Sequence, residues 1–110
     1  MVRMRRTSQV RCISYMTSFT LLFLSPTLDA QVLNLALSLE LLELAFYERG
    51  LSHYSKEDFK KAGYPDWVRG HFEQIFEHEE THVQFLESAL TAAGADYVKP
   101  CEYILCVSPF

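Results

Sequence analysis

Glu79 and His82 stand three residues apart in the stretch 72–90, FEQIFEHEETHVQFLESAL, and at that spacing a carboxylate and an imidazole share one face of a helix. Val68, Phe72 and Ile75 precede Glu79 by eleven, seven and four residues, and Val83, Leu86 and Leu90 follow it by four, seven and eleven. Those intervals put the acid in the middle of an apolar stripe, where it should be buried. An ionised carboxylate is costly to bury unless it is paired, protonated or bound to a metal. Glu-x-x-His is the pair with which helical bundles hold iron or manganese between facing helices.

Two other readings compete for these residues. The string His78-Glu79-Glu80-Thr81-His82 satisfies H-E-x-x-H, which in zinc proteases sets two histidines on the metal and uses the Glu as general base. That chemistry also needs a third ligand and a substrate cleft. After a helix end near Gly94 only a short tail is left to supply them, and His78 lies off the stripe on which Glu79 is central. A zinc protease fragment is therefore the remote alternative. The plainer alternative is a helical interaction or scaffold module without metal, its buried acids protonated or bonded to one another and His82 a satisfied core histidine.

The elements that must position Glu79 and His82 read as all-α. A first long helix is expected over residues 29–49, capped near Ser25-Pro26 or Asp29 and stopped by Gly50. Its solvent stripe is Gln31, Asn34, Ser38, Ala45 and Glu48, and Glu40 and Glu43 lie on the other side among Val32, Leu33, Leu37 and Leu44. Tyr47 follows Glu40 by two turns and shares its face. SKEDFKKAG reads as a short helix with Ser55 as N-cap, Asp58 completing a capping box and Gly63 closing it. A second long helix is expected from Pro65 to about residue 92, with Gly94 as its stop. No alternating pattern suggests a sheet. The expected architecture is a long antiparallel helical hairpin that brings Glu40 and Glu43 toward Glu79 and His82.

With 110 residues, 49% of them hydrophobic and 22% charged, the chain has room for one small domain and does not have the composition of a disordered one. Residues 1–28 form a leader, in which four arginines precede the apolar run Ile13–Leu24. That run is too short for an ordinary membrane span, and the pattern fits a secretory signal peptide with a poor cleavage site or an unstructured leader. The expected localisation is secreted, otherwise cytoplasmic. Residues 31–110 hold six basic against thirteen acidic residues, hence −7, so nucleic acid is not an expected partner. Cys101 and Cys106 can join each other or a partner chain in an oxidising compartment and are otherwise free thiols. Residues 104–110 are read as a tail.

The order Glu40, Tyr47, then Glu79-x-x-His82 resembles the ligand pattern of the ferritin-like superfamily, in which one helix of a pair gives a Glu and the next gives Glu-x-x-His. LNLALSLELLELAFYERGL, DFKKAGYPDWVRGHFEQIFEHEETHVQFLESAL and KPCEY are similar to the ferritin-like domain of fungal stress-response proteins related to plant desiccation-related proteins. The similarity covers residues 29–103 and implies a ferritin-like fold, association with stress and secretion, but no established catalytic activity. It implies iron or manganese on Glu40, Glu79 and His82, with Glu43 an additional acid and Tyr47 beside the ligands. The resemblance calls for four core helices and two Glu-x-x-His motifs, whereas one hairpin and one motif are present. A homodimer, or a second hairpin missing from a truncated product, is expected to complete the site. Ferroxidase-like activity would arise only in that completed form.

Overall fold

The computed structural model describes residues 27–105, and these form three helices: α1 (Leu28–His53), α2 (Lys56–Lys61) and α3 (Trp67–Ala92). No strand occurs among the described residues. The leader up to residue 26, including the Ile13–Leu24 run and the Ser25-Pro26 cap candidate, lies outside them, as does Cys106.

α1 and α3 are 26 residues each and pack against one another as the two arms of an antiparallel hairpin. Their register is fixed by three contacts. Asn34 meets the chain just beyond α3, Glu40 meets His82, and the end of α1 meets Arg69 near the start of α3. The core between them is small: Ala30, Leu37 and Leu41 from α1 interlock with Val83, Leu86 and Leu90 from α3. Leu37 and Leu90 are fully buried, at 0% exposure. All three α3 members come from the apolar stripe centred on Glu79.

Helix ends follow local chemistry. Thr27 caps α1 by accepting from the Ala30 backbone N–H, in place of the expected Ser25 or Asp29. Ser55 and Asp58 form the reciprocal capping box of α2, with the Ser55 N–H donating to Asp58 Oδ2 at 2.8 Å. α2 and α3 end alike, each on a glycine in the left-handed region, Gly63 at φ 84° and Gly94 at φ 68°. In both, the residue after the glycine donates back five positions, Tyr64 to Phe59 and Ala95 to Leu90, each at 3.0 Å. Pro65 does not open α3, which starts at Trp67 after an Asp66 N-cap that makes no side-chain bond.

Gly50 does not stop α1, which runs on to His53. Arg69 accounts for the difference: its guanidinium donates to the carbonyls of Leu51 and Tyr54, both at 3.1 Å, and pairs with Glu73. Carbonyls at a helix end need partners, and an arginine of the facing helix supplies them one turn beyond the glycine.

Asn34 is likewise not a solvent-stripe residue. Its side-chain amide donates to the Asp96 carbonyl at 3.0 Å, and its Oδ1 accepts from the Val98 N–H at 2.8 Å. The segment after α3 is thus strapped along α1, where Ala95, Tyr97 and Val98 pack against the core.

The far side of α1 is apolar as well. Leu28, Val32, Leu35, Leu39, Leu42 and Phe46, spaced alternately by four and three residues, form an exposed seam, with Leu35 at 64% and Phe46 at 58% exposure. α1 is also long and apolar enough, by length and composition, to cross a membrane, a property shared by core helices of soluble proteins.

Candidate metal centre

Glu40 approaches from the middle of α1, and Glu79 and His82 from the middle of α3. Glu79 is 7% exposed and is the one charged residue buried among the described residues. His82 lies one turn on, three residues away, with its side chain 54% exposed. Its Nδ1 lies 3.1 Å from Glu79 Oε2 and 3.2 Å from Glu40 Oε2, so when that nitrogen carries a proton a single N–H donates between two carboxylates. One oxygen or nitrogen from each of the three residues falls within 4.8 Å of the others.

The electrostatics of the group follow from this contact. Burial raises the Glu40 carboxyl above its ordinary range and contact with Glu79 adds to the rise, while His82 pulls it back. Hydrogen bonding to Glu79, and then to Glu40, raises the His82 imidazole above its usual value. In this form the proton shared with His82 offsets the cost of placing two acids together.

The donor set fits a divalent ion of intermediate hardness. Two carboxylate oxygens and one imidazole nitrogen suit iron or manganese better than a structural zinc site. Donors held at about 2.1 Å from one ion can be no more than about 4.2 Å apart, and His82 Nδ1 lies within that span of both carboxylates, at 3.2 and 3.1 Å. Three donors from one hairpin leave the remaining coordination positions open. His82 turns that open side outward.

The other candidate residues lie elsewhere. Glu43 is exposed and outside the cluster, not turned into the core as expected. Three residues from Glu40 rotate it a further ~60° around α1, away from α3. Tyr47 packs its ring on Phe46 and Phe72, with centroids 5.3 and 6.1 Å away, whereas the hydrogen bond of Glu40 goes to His82. His78 is exposed and outside the metal-capable group, so the two histidines of the H-E-x-x-H string are not brought together on one ion. Sequence reasoning missed Asn34 and Arg69 as the residues that hold the two ends of the hairpin in register. Only their long-range partners distinguish them from ordinary surface residues.

Residues 28–110 match the family described as ferritin-like domain. Among curated proteins, none matches the chain.

Proposed function

Because this chain belongs to the ferritin-like domain family, we propose that Glu40, Glu79 and His82 are one half of a carboxylate-bridged di-iron or di-manganese centre. The observation that carries the reading is the pair of contacts from His82 Nδ1 to carboxylates on two different helices. An acid buried at mid-helix and bonded to a histidine has a chemical purpose if the proton between them gives way to a cation. Glu79 and Glu40 would hold the metals through oxygen and His82 through Nδ1. A bound pair of iron ions would supply redox chemistry with dioxygen, and catalysis is proposed only for the completed centre.

Completion falls to a second hairpin, which we take to be a second copy of this chain. Val32, Leu39 and Glu43 are exposed beside Glu40 on the flank of α1 that α3 leaves open. A two-fold pairing over that flank would set the two ligand trios face to face and cover apolar surface that a monomer leaves in water. Glu43 would then lie at the seam between copies as an additional acid. A stress-associated role follows from the resemblance of the wider sequence. Export is supported by the leader, where four arginines precede a short apolar run in the manner of a secretory signal peptide.

The test is metal content together with native mass, measured on untagged protein. The reading expects a dimer carrying iron or manganese in proportion to its two ligand trios. A metal-free dimer would leave a helical interaction module, and zinc at one per chain with peptide hydrolysis would restore the protease reading.

A further inference from the structure

α1 is apolar on two sides, and only one of them faces α3. On the other, Leu28, Leu35 and Leu42 take the d positions and Val32, Leu39 and Phe46 the a positions of a heptad register, since the six alternate by four and three residues. Leu35 and Leu42 lie furthest round from the rest of the hairpin. At about 100° per residue they stand roughly 160° and 140° around α1 from the buried Leu37, and roughly 140° and 160° from Glu40. The seam is thus a separate face from the ligand flank, which it meets only at Val32 and Leu39.

Its period and its flanks favour one occupant. A mean spacing of 3.5 residues keeps a stripe in line with a neighbouring helix that supercoils with it, and Leu at every d goes with two parallel strands. Asp29, Ala36 and Glu43 follow the d positions, and Gln31, Ser38 and Ala45 precede the a positions. Antiparallel copies would set Asp29 against Glu43 of the partner subunit twice over. Parallel copies instead set Gln31 against Ala36 and Ser38 against Glu43, with no like charges together. A lipid surface fits less well, because Arg49 is the one Lys or Arg in α1 and interfacial helices carry several.

We propose that residues 28–46 of α1 form a self-association surface, on which α1 of a second copy lies parallel and in register. The proposal goes beyond the metal reading and does not depend on it. The exposed fractions of the six side chains leave on the order of 600 Å² per chain, so two faces bury about 1,200 Å², the lower end of specific interfaces. The pairing is therefore reversible. It joins whatever unit the ligand flank makes, monomer or dimer, into one of twice the mass as concentration rises.

The test uses the full chain in two ways. Sedimentation from dilute to concentrated solution is expected to show the mass of wild type doubling. Leu35→Glu, at a position 64% exposed, is expected to abolish the doubling and to leave metal content per chain as in wild type, whatever that content is. Leu35→Cys and Leu42→Cys, mildly oxidised, are each expected to give covalent pairs above the background of the native cysteines, because parallel copies face d to d across the axis. Gln74→Cys, exposed on α3, is expected to stay at that background. Should Leu35→Glu fail to fold, the two cysteine variants still decide. A wild-type mass independent of concentration, an unchanged response in Leu35→Glu, or crosslinking no stronger than in Gln74→Cys would overturn the proposal. So would crosslinking found only on mixing Leu35→Cys with Leu39→Cys, which marks the antiparallel register. Constant mass with wild type sedimenting on phosphatidylcholine vesicles would overturn it in favour of lipid.

Discussion

The Nδ1 atom of His82 lies 3.2 Å from Oε2 of Glu40, a contact that spans 42 positions of sequence and joins α3 to α1. The same nitrogen is 3.1 Å from Glu79 on its own helix, so the hairpin's inward-facing acids converge on one proton. Whatever replaces that proton inherits ligands from both arms.

Proton and metal should therefore compete. In the metal-free protein His82 holds its proton above its ordinary pKa, because Glu79 and Glu40 accept from it. The stability from this pairing is fully present below the unfolded histidine value of about 6.5 and is lost as pH rises through the raised folded value. Glu40, also raised, acts in the same direction over a lower range, favouring the fold while it stays protonated. Metal binding needs both groups without their protons, so Mn(II) affinity is expected to increase with pH while metal-free stability falls. Titrations of Mn(II) at pH 5.5, 6.5 and 7.5, with melts of the metal-free protein, check both slopes.

Asn34 should matter far more than its place on the outside of α1 suggests. Replacing it by Ala leaves the Val98 N–H and the Asp96 carbonyl without their partner, a loss of about 1–3 kcal/mol. Hydrogen exchange should localise the effect to residues 95–99, with the Val98 amide losing protection first. Uniform exchange across α1 and α3 would instead mean that the strap is integral to the hairpin.

Two leucines on opposite sides of α1 separate packing from assembly. Leu37 is fully buried, and Leu37→Ala is expected to cost about 2–5 kcal/mol in the unfolding of any form of the protein. Leu39 is 54% exposed on the open flank, so in a monomer Leu39→Ser should stay within about 0.5 kcal/mol of wild type. If copies pair over that flank, the same change shifts native mass from dimer to monomer. Sedimentation of both variants distinguishes the cases.

The capping box makes α2 acid-sensitive. Hydrogen bonds from the Ser55 hydroxyl and backbone N–H hold the Asp58 carboxyl below its usual value. A depressed carboxyl contributes stability above its unfolded pKa of about 3.9 and loses it as pH falls through the folded one. Amide protection in α2 is thus expected to decline below about pH 4, ahead of α3. Ser55→Ala should weaken the same turn by about 1 kcal/mol at neutral pH.

The residues that were legible in the sequence, and those that were not, differ in a physical way. Glu79 could be recognised because six apolar neighbours at helical spacing enclose it, and local periodicity alone forces it inward. The hairpin, the α2 capping box and the two closing glycines were readable for the same reason, since each is local chemistry. Glu43 was misjudged because α1 is apolar on both sides, and periodicity cannot say which apolar side meets α3. Gly50 read as a stop because the arginine that extends the helix past it is 19 positions away in sequence. Asn34 read as solvent-facing because its partners lie 62 and 64 positions on. For Gly50 and Asn34 a long-range side-chain contact overrode a local signal.

The central claim is that Glu79 is buried for a metal, and the sign of one substitution tests it. The measurement is an anaerobic thermal melt of wild type and Glu79→Gln, each with and without Fe(II), at concentrations where the chain is dimeric. If Glu79 is a ligand, Fe(II) raises the melting temperature of wild type and leaves Glu79→Gln unmoved, because the amide keeps the size but not the charge. If Glu79 is only a tolerated buried acid, wild type melts at one temperature with or without iron and Glu79→Gln is the more stable protein, since a neutral amide is easier to bury than a carboxylate. The first result is the one predicted; the second would contradict the half-site and leave a ferritin-like hairpin serving as a scaffold.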